Sequence, residues 1–257
     1  MDLLEYHKRN GKQFRRHPWE MTRVDILLFF IRSLSGPVRH ILDIGSGDAF
    51  IAACIAAEFP DASVAAIDTH YDEATIAAIS QDKPANLSLF QQSGQANLPG
   101  KADLVVLMDV LEHVEHPEQL LGELLRHPSV GPETKFFITV PAYQFLFTRH
   151  DELLGHYKRY TFSSLRKLLS DNELEDIRGT YCFNSLLVPR YISKLKEKIS
   201  GRKTAEVDGI HNWKQGLFIT TVLKKLMVTE FKFTWYLSRA GIRIPGLTCY
   251  CICKPSR

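Results

Sequence analysis

Four groups of residues in this chain have the types and spacing to do chemistry. Asp43, Gly45 and Gly47 alternate with Ile44 and Ser46 in the string ILDIGSGDAFIAACIA, where an apolar strand passes through a glycine turn into an alanine-rich helix. Glycines at such a reversal let the backbone close on a ligand, which makes the turn a candidate cofactor seat. Asp68 ends the next apolar run, ASVAAIDTH, roughly twenty residues further on, where a carboxylate can accept both hydroxyls of a ribose; Thr69 follows it. Asp109, Glu112 and His113 stand at i, i+3 and i+4 in DVLEH. If that stretch is helical they share one face, and such a trio can bind a metal or handle a proton. His150, Asp151, His156, Lys158 and Arg159 crowd into ten residues among Tyr157 and Tyr160. Each group also has a plain structural reading: an empty turn, an Asp that forms a turn, a helix cap, and an Arg159–Asp151 pair that holds a loop.

The order Asp43-x-Gly45-x-Gly47-x-Ala49 resembles motif I of class I S-adenosylmethionine (SAM) methyltransferases, with Ala49 where the family usually has a third glycine. The competing pattern is the dinucleotide fingerprint G-x-G-x-x-G, which would make the chain a nicotinamide-dependent oxidoreductase. The place of its third glycine holds Phe50, which would crowd the helix against the strand. Asp109-Val-Leu-Glu112-His113 resembles the segment after the fourth strand in many small-molecule and lipid-type SAM methyltransferases. HDELLGHYKRYT, from His150 to Thr161, resembles a segment that lies over the acceptor pocket in class I enzymes, between strand five and the next helix.

The resemblance covers Trp19 to Asp176 and the final strand. It implies an α/β fold, a Rossmann-like, doubly wound seven-stranded sheet, with SAM as cofactor and S-adenosylhomocysteine as product. The implied cofactor contacts are Asp43, Gly45, Ser46, Gly47, Asp68, Thr69, Gln95, Asp109 and Val110, with Asp43 toward the amino end of SAM. Relatives often carry an Asp for the adenine amino group at a place that aligns with Gly94, and Gln95 is the nearest polar substitute here. A hydroxyl acceptor is helped by a base, and an imidazole ordinarily titrates near neutrality, so His113 and His156 are the candidate bases, with Asp109 beside them. His150, Tyr157, Arg159 and Tyr160 are the implied acceptor contacts. In small-RNA 2′-O-methyltransferases and some ubiquinone-pathway O-methyltransferases, a similar cluster plus a later His holds a divalent ion. The corresponding set is Asp109, Glu112, His113 and His156, with His150 the less favoured choice for the later His, but the usual first acid is Glu and many relatives with this cluster need no metal. The reading adopted is a site without one.

The elements that must position these groups follow from the pattern. Apolar runs alternate with helical stretches, which predicts a parallel sheet with its ligand at the strands' C-terminal ends. Trp19 to Leu34 reads as an amphipathic helix, with Val24, Leu27, Leu28 and Ile31 at helical spacing and Gly36-Pro37 as its stop. Further strands are expected over Leu87–Gln92, Ala102–Met108, Lys135–Tyr143, Arg178–Pro189 and Gly246–Lys254, with helices from Asp72 and Glu118, and Thr161 or Ser163 as the cap of a later one. His17, His40, His127 and His211 read as surface or capping residues. Cys249, Cys251 and Cys253 alternate, so they point to one face of a strand in a reducing compartment.

The expected organisation is a SAM-binding core over residues 1–186, a basic helical insertion over 187–245, and the last core strand over 246–257. From Tyr181 to Arg257 there are 14 Lys/Arg against 4 Asp/Glu, net +10, whereas the first 180 residues carry net −7. RYISKLKEKISGRK reads as a basic amphipathic helix and FITTVLKKLMVTEFKFTWYL as a longer apolar one, with a mobile connector between them. The insertion could form an acceptor pocket, a lid, a homodimer contact or a membrane-surface contact. No nucleic-acid partner is expected, since no RNA-binding module or stacking sheet is visible. The polar start MDLLEYHKRNGK has no signal-peptide core, which implies a cytoplasmic chain, peripheral at a membrane if the insertion binds one.

The function expected is therefore SAM-dependent O-methylation of a small molecule, sugar or lipid-linked intermediate. The alternatives are a SAM- or nucleotide-binding partner subunit without turnover, and the nicotinamide-dependent oxidoreductase.

Overall fold

The buried run His40–Ile44 (β1) pairs on one side with Ser63–Ile67 (β2) and on the other with Leu104–Met108 (β4), both parallel. Leu87–Phe90 (β3) and Lys135–Pro141 (β5) extend the parallel part outward. Thr248–Pro255 (β7) then adds antiparallel to β5, and Leu174–Cys182 (β6) adds antiparallel to β7. The seven strands run in the order β3-β2-β1-β4-β5-β7-β6. The computed structural model describes residues 15–96, 98–200 and 213–256.

Parallel strands covered on both faces read as continuous apolar runs, as β1 and β4 do. One face, with Ile41, Val106, Phe137 and Tyr250, packs under Pro18–Ser33 (α1), Phe50–Glu58 (α2) and, further along the chain, Leu217–Arg239 (α8). The other, with Leu42, Val105, Ile138 and the three alternating cysteines, packs under Pro117–Leu125 (α4) and Phe162–Asp171 (α6). Cys249, Cys251 and Cys253 do share one face, and none of the five cysteines is in a disulfide. Glu73–Ser80 (α3) follows β2 with Asp72 as its cap, and Arg149–Leu153 (α5) lies in the segment after β5.

The chain leaves the sheet differently from the expectation after Arg178. The sixth strand starts earlier, at Leu174, and stops at Cys182, and the apolar run SLLVP lies in a helix, Asn184–Ser200 (α7), rather than in the strand. Phe183 takes a φ of +58°, which turns the chain, and the Glu230 carboxylate on α8 accepts from the Asn184 and Ser185 amides at 2.6 and 3.0 Å. That cap lies 46 residues away and leaves no local signal.

Helix α8 is not a free appendage: Phe231 and Trp235 meet Phe29 of α1 edge-on, and Phe231 also meets Tyr250. Most of the connector expected to be mobile, residues 201–212, lies outside the described residues, as does His211. His17 caps α1, accepting from the Trp19 amide. His127 corrects the surface reading: it is buried, with Nε2 2.9 Å from the Ser93 carbonyl and Nδ1 accepting from the Ser129 amide, so it ties two loops together. Thr161, not Ser163, caps α6.

Candidate functional site

At the C-terminal edge of the parallel strands, the turn after β1 is held by main-chain bonds. The Gly45 and Ser46 amides both donate to the Ile67 carbonyl, at 2.8 and 3.1 Å, and the Gly47 amide donates to Asp68 Oδ2 at 2.8 Å. Gly45 has φ +67°, and a Cβ there would lie 2.7 Å from a Val110 methyl. Glycine is thus required twice, for conformation and for the approach of the loop after β4. Asp68 Oδ1 accepts from the His70 amide, and Ser46 Oγ shares a hydrogen bond with the Tyr71 hydroxyl. Thr69 and Gln95 are exposed, and Gln95 Oε1 accepts from the Gln92 amide. A groove of about 390 Å³ is lined by Tyr71 and Ile76 on the β2 side and by Phe90 at the end of β3 and Gln95 after it, among others.

Asp43 lies under this turn, buried, and its Oδ2 has no partner among the described residues. Burial pushes its carboxyl up to about 7, tempered by the Arg23 guanidinium. A buried carboxyl oxygen without a donor calls for one. With Gly45 leaving the backbone bare above it, the seat fits a ligand that brings a cationic or N–H group to Asp43.

Asp109 departs from the expected convergence with Glu112 and His113. Its φ is +59°, and the turn that follows, Leu111–His113, is a 3-10 turn rather than an α-helix, so the i, i+3, i+4 face never forms. Asp109 Oδ2 pairs with Arg23 Nη2 at 2.9 Å and its Oδ1 accepts from the Thr139 hydroxyl at 2.9 Å. Arg23 was missed by the motif reading. Its signal is a guanidinium on the apolar face of α1, one turn before Leu27, and in the structure it is buried with Trp19 beneath it. Arg16, also missed, pairs with Asp48 at 2.6 Å and lies over the Phe50 ring.

The segment after β5 folds back onto that turn. The Tyr157 amide donates to the Glu112 carbonyl at 2.7 Å, and the buried Tyr160 hydroxyl donates to the Leu111 carbonyl at 3.1 Å. Asp151 is the hub. It is fully buried and accepts from the Thr148 amide at 2.9 Å, from His156 Nδ1 at 2.9 Å and from Arg159 Nε at 2.7 Å, with Arg190 of α7 at 3.5 Å. Burial alone would raise its carboxyl, but the bonds from His156 and Arg159 outweigh it and hold the group well below the usual carboxylate range. Arg159 Nη1 donates to the Ala142 carbonyl, so Arg159 and Tyr160 both hold the fold at this place. Tyr157 is exposed, and His150 is half-buried and shifted down by burial and then by Arg190.

His156 brings its ring edge-on to His113, with centroids 4.6 Å apart. Ligand-type atoms of Glu112, His113 and His156 all lie within 4.8 Å of one another, and neither Glu112 oxygen has a partner among the described residues although the side chain is buried. Burial, and then the Asp109 charge, push the Glu112 carboxyl well above its ordinary value. The trio can hold a divalent cation by donor type. Without one it presents an imidazole whose Nδ1 is fixed by a buried carboxylate, leaving Nε2 for a proton.

Comparison with known proteins places the chain in a family and gives its fold relatives. The model of a family described as a methyltransferase domain matches residues 12–195. No curated protein matches the chain. Among solved structures, a phosphoethanolamine N-methyltransferase 2 of Haemonchus contortus, bound to phosphomonomethylethanolamine and S-adenosylhomocysteine, superposes with a TM-score of 0.56 at 15% identity, over 99% of this chain and 57% of that one. The [4+2]-cyclase SpnF gives 0.55 at 14% identity over 96% and 84%. The N-methyltransferase NodS of Bradyrhizobium japonicum WM9, with S-adenosylhomocysteine, gives 0.50 at 18% over 65% and 81%. At such identities the structures speak for the fold, and the family match carries the membership. The chain belongs to the methyltransferase-domain family and has the fold of the class I SAM-dependent methyltransferases.

Proposed function

We propose that this protein transfers the methyl group of SAM to a hydroxyl of a small molecule, sugar or lipid-linked acceptor. The observation that carries the reading is the Asp151–His156 pair, a fully buried carboxylate 2.9 Å from an imidazole, set against the turn after β4. SAM supplies a methyl group on a sulfonium, an electrophile that asks the protein mainly for placement. Asp43 would receive its amino end, Gly45 and Gly47 would let the main chain close on it, and Asp68 would take the ribose hydroxyls. A hydroxyl nucleophile must lose its proton as the new C–O bond forms, and His156 Nε2 would take it while Asp151 holds the ring in the right tautomer. A neutral amine can attack through its lone pair before its proton leaves, so a positioned base matters more for a hydroxyl, which favours oxygen. The family membership displaces the nicotinamide reading.

The test is label transfer from methyl-labelled SAM into hydroxyl-bearing and amine-bearing compound pools, with His156→Gln beside the native chain. Label entering the hydroxyl pool and lost in the variant supports the reading. Binding of S-adenosylhomocysteine without any transfer would instead favour a non-catalytic partner subunit.

A second reading has one observation of its own. Glu112 is buried with both oxygens unpartnered among the described residues, next to His113 and His156, which favours a divalent cation that orients the acceptor oxygen. Loss of turnover on chelation and its return with added cation would select that reading over the metal-free base.

A further inference from the structure

We propose that the face of α7 and α8 turned away from the sheet docks on an anionic lipid surface. Helix α8 packs inward through Met227, Phe231 and Trp235, yet the opposite side carries Ile219, Val222, Leu226, Phe233 and Tyr236, all exposed. Their spacing of three, four or seven residues places them in one stripe along the helix. Leu217 and Phe218, at its start, are 74% and 81% exposed, an extreme degree for large apolar side chains. Helix α7 adds Val188, Ile192 and Leu195 at the same kind of spacing, also exposed. No helix among the described residues is long and apolar enough to cross a membrane, and a one-sided apolar stripe is the pattern of a helix that lies along a surface.

The placement relative to the site follows from the strand register. Cys182 pairs with Thr248, which pairs with Pro141, so α7 leaves the sheet at the site edge. It then runs past Phe145, where Tyr191 meets the Phe145 ring and Lys194 donates to the Phe145 carbonyl. Glu230 caps α7 at this same edge, and Leu217 stands 13 residues before it, which puts the start of α8 about 20 Å further out along the helix axis. Trp213, just before α8, packs against His17, next to the Arg16–Asp48 pair of the glycine turn. Both helices therefore border the mouth of the site.

Charge decides between a lipid surface and a second copy of the chain. Residues 187–245 carry 12 Lys/Arg against 4 Asp/Glu, net +8. Lys225 and Lys232 are exposed along one border of the α8 stripe, while Glu230 turns inward to cap α7 and Lys224 pairs with Asp25. Two such faces would repel each other, whereas each Lys or Arg near an anionic leaflet is attracted to it.

The test is co-sedimentation of the full chain with phosphatidylcholine vesicles, with and without phosphatidylglycerol. The expected result is association with the anionic vesicles that weakens at high salt and about tenfold or more in either Phe218→Ser/Leu226→Ser or Lys225→Glu/Lys232→Glu. S-adenosylhomocysteine affinity stays unchanged in both variants, which shows them folded. Free glycerol phosphate in excess leaves the association in place. Displacement by it would mean a phosphate pocket and would overturn the proposal. So would equal binding to neutral vesicles, no binding at all, indifference to the substitutions, or a solution dimer that Phe218→Ser dissociates.

Discussion

Arg23 Nη2 lies 2.9 Å from Asp109 Oδ2, and this ion pair joins the first described helix to the end of the fourth strand. Both partners are largely screened from water and both oxygens of Asp109 are engaged, the other by Thr139. The pair fixes Asp109 in its left-handed backbone conformation, and the strained residue in turn sets Val110 against Gly45.

Arg23→Met should therefore act on both stability and cofactor affinity. Leaving a partly buried carboxylate without its cation costs about 1–3 kcal/mol, read as a lower unfolding midpoint. S-adenosylhomocysteine should bind more weakly by calorimetry, because the loop that carries Val110 loses its anchor. Asp109→Asn combined with Arg23→Met should cost less than the sum of the two single changes.

Gly45→Ala meets two penalties at once. The left-handed φ strains any side chain, and the new methyl would sit 2.7 Å from Val110. A loss of about 1–3 kcal/mol in stability is expected, together with near loss of cofactor binding. Gly36→Ala, where φ is also positive but the space is open, should cost stability alone.

Asp43 sets a pH dependence whose sign is fixed by its elevated pKa. The folded protein binds a proton between the ordinary value of 3.8 and about 7 that the unfolded chain does not, so the cofactor-free protein loses stability as pH rises through that window. The full contribution is of order 4 kcal/mol, and Asp43→Asn should abolish it, raising stability above neutrality while destroying cofactor affinity. Calorimetry of S-adenosylhomocysteine binding near pH 6, in buffers of different ionisation enthalpy, should show proton release as Asp43 ionises against the ligand's ammonium.

Much of this arrangement could be read from residue order. The glycine turn announces itself because Gly45 and Gly47 both need positive φ, and the strands announce themselves as apolar runs because helices cover both faces of the sheet. The alternating cysteines gave away which way their strand faces. What stayed hidden depends on partners far along the chain. Glu230 capping Asn184 turns an apparent strand into a helix, Arg23 draws Asp109 away from its neighbours, and His127 is buried by a carbonyl 34 residues off. Local periodicity carries no trace of such pairs.

Asp151→Asn separates positioning from folding. Asp151 is held ionised by His156 and Arg159, so its contribution to stability is present at neutral pH and fades only as acid reaches below the ordinary carboxylate range. The substitution should cost about 2–4 kcal/mol and lower kcat about a hundredfold with KM nearly unchanged, since it frees the imidazole without touching the acceptor. A merely structural role would lower the unfolding midpoint and leave kcat of the folded fraction intact.

Glu112→Gln keeps the shape of the side chain and removes a cation ligand. With His156 acting as a metal-free base, turnover should stay within about threefold of the native chain and be indifferent to chelators. A loss of a hundredfold or more, with chelator sensitivity in the native chain, would transfer the role to a bound cation.

The measurement that bears most directly on the whole account is single-turnover transfer from methyl-labelled SAM to a hydroxyl-bearing acceptor pool, run with the native chain and with His156→Gln. Transfer by the native chain and a rate about a hundred times lower in the variant, with S-adenosylhomocysteine affinity equal in both, is the expected result. A native chain that binds SAM yet labels no acceptor, or a variant as fast as the native chain, would contradict it.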